Sequence, residues 1–153
     1  MKKLHSEIEI DATPETVWEV LLDFASYPQW NTYIPSIEGE ANEGSQLRVR
    51  IEPPVGKGAT FKPTVTEVKT GRRFEWLGRL GFKGVFDGRH RFEIEAVSGG
   101  TRLVQSEEFT GVLVPLLAKS LDRGTVAGFE AMNQALKERA ESRNGHPGGD
   151  EGE

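Results

Sequence analysis

Three polar residues that are predicted to share one face of a sheet are the best candidates for chemistry in this sequence. His90 belongs to a strand whose even positions are mostly apolar and whose odd positions are mostly charged. Gln105 and Glu107 fall on the same inner face of the following strand. An imidazole steered by a carboxylate can act as a general acid or base, and all three groups can hydrogen-bond a ligand's carbonyl or hydroxyl. The alternative is that they only satisfy each other in the core.

A glycine-rich turn sets the relative position of these two strands. The segment 98–101, Ser-Gly-Gly-Thr, is typical of a tight hairpin, because glycine supplies the positive φ angles of primed turns. With Gly99 and Gly100 as the loop, the register pairs Ile94 with Gln105, Phe92 with Glu107 and His90 with Phe109. On that register His90 lies diagonal to Glu107, within reach of a hydrogen bond.

Aromatic residues are frequent at the predicted inward positions. They are Trp30, Phe61, Phe74, Trp76, Phe86, Phe92 and Phe109. Such a set either fills a core or lines an apolar cavity. The last helix favours a cavity, because Gly124 and Gly128 share its buried face with Leu117 and Leu121, and each glycine costs about 0.8–1 kcal/mol relative to alanine. Close backbone packing would explain the same glycines, so both interpretations stay open.

The elements that must position these residues begin with a strand and a capped helix. Ile8 and Ile10 alternate with acidic residues as in a half-buried strand. Thr13 is the predicted N-cap of the next helix and Pro14 its first residue. The aromatic stretch 26–35 follows as a second short helix or turn.

About six further strands and a long helix complete the chain. The strands are predicted at 36–41, 47–51, 61–65, 74–80, 85–97 and 101–109. Pro63 indicates an edge or a bulge, because proline cannot donate to a ladder. The final helix is predicted to begin at Pro115 and to reach about Glu138, with one apolar face.

The amino-terminal stretch resembles the SRPBCC superfamily, which contains START, polyketide cyclase and Bet v 1-like proteins. Bacterial members often begin with the pattern I-x-A-x-x-E-x-V-W-x-x-L-x-D-x-x-x-Y-P-x-W-N. The matching residues are Ile10, Ala12, Glu15, Val17, Trp18, Leu21, Asp23, Tyr27, Pro28, Trp30 and Asn31. Over residues 4–140 the resemblance implies an α+β helix-grip fold. In that fold a curved antiparallel sheet of about seven strands wraps around a long C-terminal helix, with two short helices after strand 1 and an apolar cavity.

Length and composition predict one domain and a short tail. A chain of 153 residues buries about two thirds of its unfolded surface without help from metals or disulfides. We predict a ligand-binding domain at 1–142 and a disordered acidic tail at 143–153. The net charge is −5, and the body is nearly neutral, with its basic residues opposite acidic ones. Nucleic-acid binding is therefore not expected.

Several kinds of site are not expected. The chain has no cysteine, and His5, His90 and His146 are too dispersed for a metal centre, so neither a metal nor a cofactor is expected. The segment 55–60 lacks the spacing of a phosphate-binding loop. Because the sequence shows no signal-peptide core and no apolar run of roughly 18 residues, we expect a cytoplasmic protein without a membrane span.

The predicted function is binding of a small hydrophobic or amphipathic molecule, of lipid, polyketide or aromatic type, between the sheet and the C-terminal helix. One alternative is a polyketide cyclase- or dehydratase-like enzyme with His90 and Glu107 as acid and base. In the resembled family, aromatases and cyclases use polar cavity residues to fold and dehydrate a bound chain, whereas other members carry lipids, sterols or plant hormones. Another alternative is a protein-interaction or co-chaperone-like module that uses an exposed aromatic turn, Tyr27 to Tyr33. A homodimer, the ligand's identity and the pathway stay open.

Overall fold

The computed structural model describes residues 1–144, which form a mixed α+β domain. The strands are β1 Lys2–Ile10, β2 Ser36–Glu38, β3 Arg48–Ile51, β4 Ala59–Phe61, β5 Thr64–Lys69, β6 Arg73–Arg79, β7 Asp87–Val97 and β8 Gly100–Thr110. The helices are α1 Pro14–Leu22, α2 Tyr27–Trp30, α3 Val114–Ser120 and α4 Val126–Asn144. A 3-10 turn, Phe24–Ser26, precedes α2, and a π-helical turn, Leu121–Thr125, joins α3 to α4.

The strands form a curved, open antiparallel sheet in two parts. Five strands pair in the order β1-β8-β7-β6-β5, and three pair in the order β2-β3-β4. A single bridge between Gln46 and Thr64 links the two parts. Helix α4 packs against β1 and against α1 on one side of the sheet. The predicted helix-grip architecture is confirmed, with eight described strands rather than about seven, because the chain breaks at Pro63 between β4 and β5.

Local signals at the first helix act as predicted. The Thr13 hydroxyl accepts a hydrogen bond from the amide of Thr16 at 3.2 Å, and Pro14 opens the helix. Val17 and Leu21 on the apolar stripe are fully buried. These contacts fix how α1 leaves β1 and lies against the core.

The β7–β8 hairpin has a different register from the predicted one. Its two-residue loop is Ser98–Gly99, and the strands pair Val97 with Gly100, Ile94 with Leu103, Phe92 with Gln105 and His90 with Glu107. Gly99 takes the positive φ of the turn, +84°, whereas Gly100 is in the strand. A Cβ on Gly100 would overlap the carbonyl oxygen of Ile10. The shift is two residues, so the inward face is the predicted one but the facing partners are not.

The C-terminal helix is longer than predicted and changes pitch in the middle. It begins at Val114, widens in the π-helical turn and reaches Asn144 rather than Glu138. Phe129, Met132 and Leu136 form its buried stripe. The tail predicted for 143–153 lies outside the described residues, apart from the two residues that end α4.

Gly128 serves close packing rather than an open cavity. A Cβ on this residue would overlap the aromatic ring of Tyr33, which lies directly against the helix. The space that the missing side chain leaves is therefore filled by that ring. Gly124, one turn earlier, is less tightly packed than Gly128. An added Cβ there would lie 3.2 Å from its nearest neighbour, the carbonyl oxygen of Val55.

The two tyrosines of the aromatic turn are buried, so the prediction that the turn exposes them is wrong, whereas Trp30 is partly buried. Tyr27 and Tyr33 are 1 % and 4 % exposed. The Tyr27 hydroxyl donates to the carbonyl oxygen of Leu21 at 2.5 Å, and burial raises the pKa of this phenol far above its usual value. Asn31 holds the turn, because its side-chain oxygen accepts from the amide of Ile34 at 2.8 Å. The two tyrosines therefore belong to the hydrophobic core, and Trp30 packs against it.

Candidate functional site

His90 and Glu107 face each other across the β7–β8 ladder. The Nδ1 atom of His90 lies 3.0 Å from Oε1 of Glu107, and its Nε2 atom lies 3.0 Å from Oε1 of Gln105. The His90 side chain is 3 % exposed and that of Glu107 15 %. The three residues that the sequence singled out are therefore in direct contact, with the imidazole in the middle.

A buried relay continues from Gln105 to the opposite helix. The Nε2 atom of Gln105 donates to Oδ1 of Asn133 at 2.7 Å and to the backbone carbonyl of Phe129 at 3.4 Å. Asn133 donates in turn to the hydroxyl of Ser6 at 3.2 Å. The sequence analysis missed Asn133, although it is a polar residue at the buried spacing of α4. The relay joins β7, β8, α4 and β1 through side chains.

The relay holds the imidazole in one orientation. The NH₂ group of Gln105 faces the carbonyl of Phe129, because a backbone carbonyl only accepts. The oxygen of that amide faces Nε2 of His90, and the carboxyl of Glu107 faces Nδ1. Both ring nitrogens are therefore engaged within the protein.

Aromatic rings surround His90 and keep water away from it. Trp76 stacks on the imidazole with 5.1 Å between ring centroids and 23° between planes. The edge of Phe129 meets it at 5.1 Å, and Phe92 lies at 4.6 Å. Phe74 stacks on the far side of Phe92 at 6.3 Å. These rings fill the core around the relay.

An apolar pocket of about 380 Å³ lies beside the relay. It is bounded by β3, β4, the inner faces of β6, β7 and β8, and the π-helical turn. The predicted site residues that line it are Phe61, Trp76, Phe86, Glu107, Phe109, Leu121 and Gly124. Phe86 and Phe109 stack at 5.4 Å and form one wall.

The other predicted site residues lie outside the pocket lining. Phe74, Phe92, His90 and Gln105 are buried behind it, and Gly128 is covered by Tyr33. The remaining two are Trp30, which packs on Tyr27 at 5.0 Å, and Leu117. The sequence showed that these side chains are mostly inward-facing, but it could not separate those that fill the core from those that line a space.

Glu107 is the carboxylate that reaches the pocket, and a glycine gives it room. A Cβ on Gly88, which belongs to the inner face of β7, would collide with Oε2 of Glu107 and approach the ring of Phe109. Gly88 itself lines the pocket. The inward-facing glycine in an otherwise bulky strand is the sequence signal that could have located this opening.

Tyr33 closes the pocket on the side of the helix. Burial, and then the negative charge of Glu107, raise the pKa of the Tyr33 hydroxyl, so that the phenol stays protonated. Val49 and Ile51 of β3 complete this wall. Their alternation was recognised in the sequence, but their position against the helix depends on how the smaller three-stranded part folds over.

A second depression, of about 560 Å³, lies at the other end of β6 and β7. Charged side chains dominate its lining, among them Arg72, Arg73, Glu93 and Glu95. It is larger than the apolar pocket, but it touches neither His90 nor Glu107. Two of its charged groups pair with each other, Arg73 with Glu93 at 3.3 Å. We therefore take the smaller, apolar pocket as the candidate site.

Two further kinds of site are absent from residues 1–144. No group of three or more histidine, aspartate or glutamate side chains in that range is arranged to hold a metal ion. No helix there is long and apolar enough to cross a membrane.

The fold and the pocket define the class of protein. A curved antiparallel sheet that encloses a long helix, with an apolar pocket between them, is the helix-grip arrangement. The family described as "Polyketide cyclase / dehydrase and lipid transport" matches residues 1–141, so the chain belongs to this family. Among curated protein sequences, none matches the chain.

Solved structures of several relatives share this fold. A START superfamily protein from Mycobacterium smegmatis has a TM-score of 0.70 and 24 % identity, with 92 % of this chain and 98 % of that one covered. The Zhui aromatase/cyclase from Streptomyces sp. R1128 has a TM-score of 0.72 and 17 % identity, with 94 % and 95 % covered. The protein TTHA0849 from Thermus thermophilus has a TM-score of 0.74 and 20 % identity, with 93 % and 99 % covered. At these identities the likeness concerns the fold.

Proposed function

We propose that this protein binds a small, largely apolar molecule that carries a hydroxyl group, with the hydroxyl on Glu107. The observation that carries the proposal is one carboxylate on the inner sheet face of a pocket whose lining is mostly apolar. The other charged lining residues, Lys57 and Arg79, are exposed. The pocket volume of about 380 Å³ lies in the usual range for small-molecule sites, about 300–1,000 Å³. Membership in a family described by cyclase, dehydrase and lipid-transport activity supports the same interpretation.

The hydrogen-bonding groups favour a hydroxyl over a carbonyl. Both nitrogens of His90 and both ends of the Gln105 amide are engaged within the protein. The carboxyl of Glu107 makes one hydrogen bond within residues 1–144, and its partner is His90. Its Oε2 atom faces the pocket, and an ionised carboxylate only accepts hydrogen bonds. A ligand that donates a hydrogen bond is therefore recognised by Glu107, whereas a ligand that only accepts can use the hydroxyls of Tyr33 and Thr125 or the exposed Lys57 and Arg79, but not this carboxylate.

His90 holds Glu107 in this position. One ring nitrogen lies at hydrogen-bond distance from Oε1 of Glu107, and the relay behind His90 holds the imidazole in one orientation. A partly buried carboxylate is costly unless it is hydrogen-bonded, and a bound hydroxyl supplies the missing donor. Apolar walls then bind the rest of the ligand through burial of its surface, at about 25 cal/mol per Å².

The test compares three probes that differ in one group: 4-butylphenol, its methyl ether and butylbenzene. In Glu107→Gln the charge-assisted hydrogen bond is lost, so the affinity for the phenol is expected to fall about tenfold or more. The ether and the hydrocarbon are expected to bind about equally to wild type and variant. Isothermal titration gives the three dissociation constants.

Glu108→Gln is the matched control, because Glu108 is the next residue of β8, points to the opposite face and pairs with Lys3 at 3.3 Å. It should leave the affinities for all three probes unchanged. Equal losses for all three probes in Glu107→Gln would remove the carboxylate from recognition. Absence of binding by every probe would contradict the proposed function.

A second candidate function is acid–base catalysis of the cyclase or dehydratase kind. The observation that favours it is that Glu107 faces the pocket and contacts His90, so a carboxylate there can accept a proton from a ligand while the imidazole keeps the carboxyl group oriented. An enzyme would lose turnover of a polyketide-like substrate in Glu107→Gln while it still binds a methyl ether probe. A binding protein would show no turnover in either form.

A further inference from the structure

Five large apolar side chains are exposed around the mouth of the pocket, where a folded protein would be expected to bury them. They are Val55, Leu80, Phe82, Val112 and Leu116, with exposed fractions of 56 %, 50 %, 84 %, 77 % and 79 %. We call these five residues the apolar rim. They come from the loop after β3, the loop between β6 and β7, and the segment after β8 together with the first turn of α3.

The three segments of the apolar rim meet at one place. The amide of Val112 donates to the carbonyl of Gly84 at 3.0 Å, which joins the segment after β8 to the β6–β7 loop. An added Cβ on Gly124 would lie 3.2 Å from the carbonyl oxygen of Val55, so the loop after β3 lies against the π-helical turn. Val55 and Leu80 line the pocket as well as the rim. The rim therefore surrounds the entrance.

Basic residues are interleaved with the apolar rim. The segments 53–58, 79–87 and 111–125 carry five basic residues and two acidic ones, a net charge of +3. The whole described chain, residues 1–144, has a net charge of −2. Positive charge is thus concentrated at the mouth of a chain that is otherwise acidic.

The acidic residues of these segments are already paired. Asp87 lies 3.5 Å from Arg79, and Asp122 lies 2.9 Å from Lys2. Within residues 1–144, no carboxylate lies at ion-pair distance from the exposed Lys57, Lys83, Lys119 or Arg123. The mouth of the pocket therefore carries unpaired basic side chains next to exposed apolar side chains.

We infer that the apolar rim docks this protein on an anionic lipid surface, with the pocket entrance against the bilayer. Apolar side chains at loop tips with lysines between them suit a fluid interface of acyl chains below a layer of anionic headgroups. A protein partner would need a separate complementary surface for each of three protruding segments, whereas lipid adapts to them. The apolar pocket adds a reason for this position. An apolar ligand that passes directly between the bilayer and the pocket is not exposed to water on the way.

The experiment uses the full chain without any pocket ligand, so its outcome is independent of the proposed function. Co-sedimentation is measured with vesicles of phosphatidylcholine alone and with vesicles that contain phosphatidylglycerol. We expect the protein to bind the anionic vesicles and to bind the neutral ones more weakly. Binding to the anionic vesicles should fall as the salt concentration rises.

Two pairs of substitutions separate the apolar and the electrostatic parts. Phe82→Ser with Leu116→Ser is expected to lower partitioning at least tenfold, because these side chains would lose their burial in lipid. Lys57→Gln with Lys83→Gln is expected to lower it roughly 25-fold on anionic vesicles, about fivefold per charge. Lys69→Gln with Arg72→Gln removes the same charge at the opposite end of β6 and is expected to have little effect.

Two outcomes would overturn the inference. One is the absence of sedimentation with anionic vesicles. The other is binding that the rim substitutions leave unchanged relative to the Lys69 and Arg72 control. A concentration-dependent dimer in sedimentation velocity that Phe82→Ser abolishes, without vesicle binding, would assign the rim to a second copy of this chain and would contradict the lipid surface.

Discussion

His90 owes its position to hydrogen bonds that begin far from it in the sequence. The carbonyl of Phe129 orients the amide of Gln105, and that amide contacts Nε2 of His90 and orients the ring. Glu107 is then left with one oxygen for the imidazole and one for the pocket. Which of the three polar residues can reach a ligand was not readable from the sequence, because it depends on α4 and on the missing side chain at Gly88.

The outer face of the sheet has its own buried carboxylate, Glu75, which serves stability. Burial by itself raises its pKa, but hydrogen bonds from Thr66, Arg91 and Arg89 prevail and hold the pKa below the usual value. The side chain of Glu75 is 5 % exposed. The three donors come from β5 and β7, so this carboxylate links the strands on either side of β6.

The pH dependence of stability follows from that lowered pKa. A carboxyl whose pKa is depressed by folding contributes stability above its unfolded pKa, about 4.3, and this contribution is lost as the pH falls through the folded value. Glu75→Gln is therefore expected to lower the free energy of unfolding by about 1–3 kcal/mol at pH 7. The difference from wild type should shrink as the pH falls below about 4.

Urea unfolding at pH 7, 5 and 3 measures this difference. Glu130→Gln, on the exposed face of α4, is the control and should match wild type at each pH. A difference between Glu75→Gln and wild type that stays constant from pH 7 to pH 3 would show that the charge of Glu75 is not what stabilises the sheet.

At the scale of elements, local signals predicted the pieces and long-range contacts decided their alignment. The alternation in β7 placed His90 and Phe92 inward regardless of register. Which glycine occupies the turn was decided by β1, because the Ile10 carbonyl approaches Gly100 too closely for any side chain. Local sequence patterns do not show a contact between residues so far apart in the chain. The predicted register therefore differs from the observed one by two residues.

The π-helical turn is a second feature that the sequence did not show. The predicted helix had a constant period, whereas Leu121–Thr125 widens before α4 continues. Leu121 and Gly124 of this turn line the pocket. Such turns are frequent at functional sites. Here the turn shapes the helical wall of the pocket.

The two glycines of the helix give a prediction at this scale. Gly128→Ala is expected to lower the free energy of unfolding by about 1–3 kcal/mol, because the new methyl group must displace the buried ring of Tyr33. This loss outweighs the helix-propensity gain of about 0.8–1 kcal/mol. Gly124→Ala should cost less than Gly128→Ala, because the nearest atom, the carbonyl oxygen of Val55 in an exposed loop, is 3.2 Å away and has to move only slightly.

Thermal and urea unfolding of the two alanine variants provide the comparison. If Gly128→Ala were as stable as Gly124→Ala or more so, the space at residue 128 would be open and the cavity interpretation of that glycine would be restored.

For the molecule as a whole, the resemblance of the first thirty residues implied the fold, and the family match and the architecture confirm it. The pocket could be predicted only in part. Phe61, Trp76 and Phe109 were recognised among many aromatic residues, but the same pattern included Phe74 and Phe92, which fill the core. Whether an inward ring packs or lines a space depends on how the three-stranded part and the π-helical turn close over the sheet.

The most direct test of the central claim is a ¹H–¹⁵N NMR titration of the full chain with 4-butylphenol, because the indole of Trp76 lies in the pocket whereas Trp18 and Trp30 lie elsewhere. We expect saturable shifts of the Trp76 indole and of the Gly88 and Gly124 amides, with the other two indoles nearly unchanged. Saturable shifts centred instead on the charged depression at 69–73 and 93–96, or no shifts at all, would contradict a ligand site between the sheet and the helix.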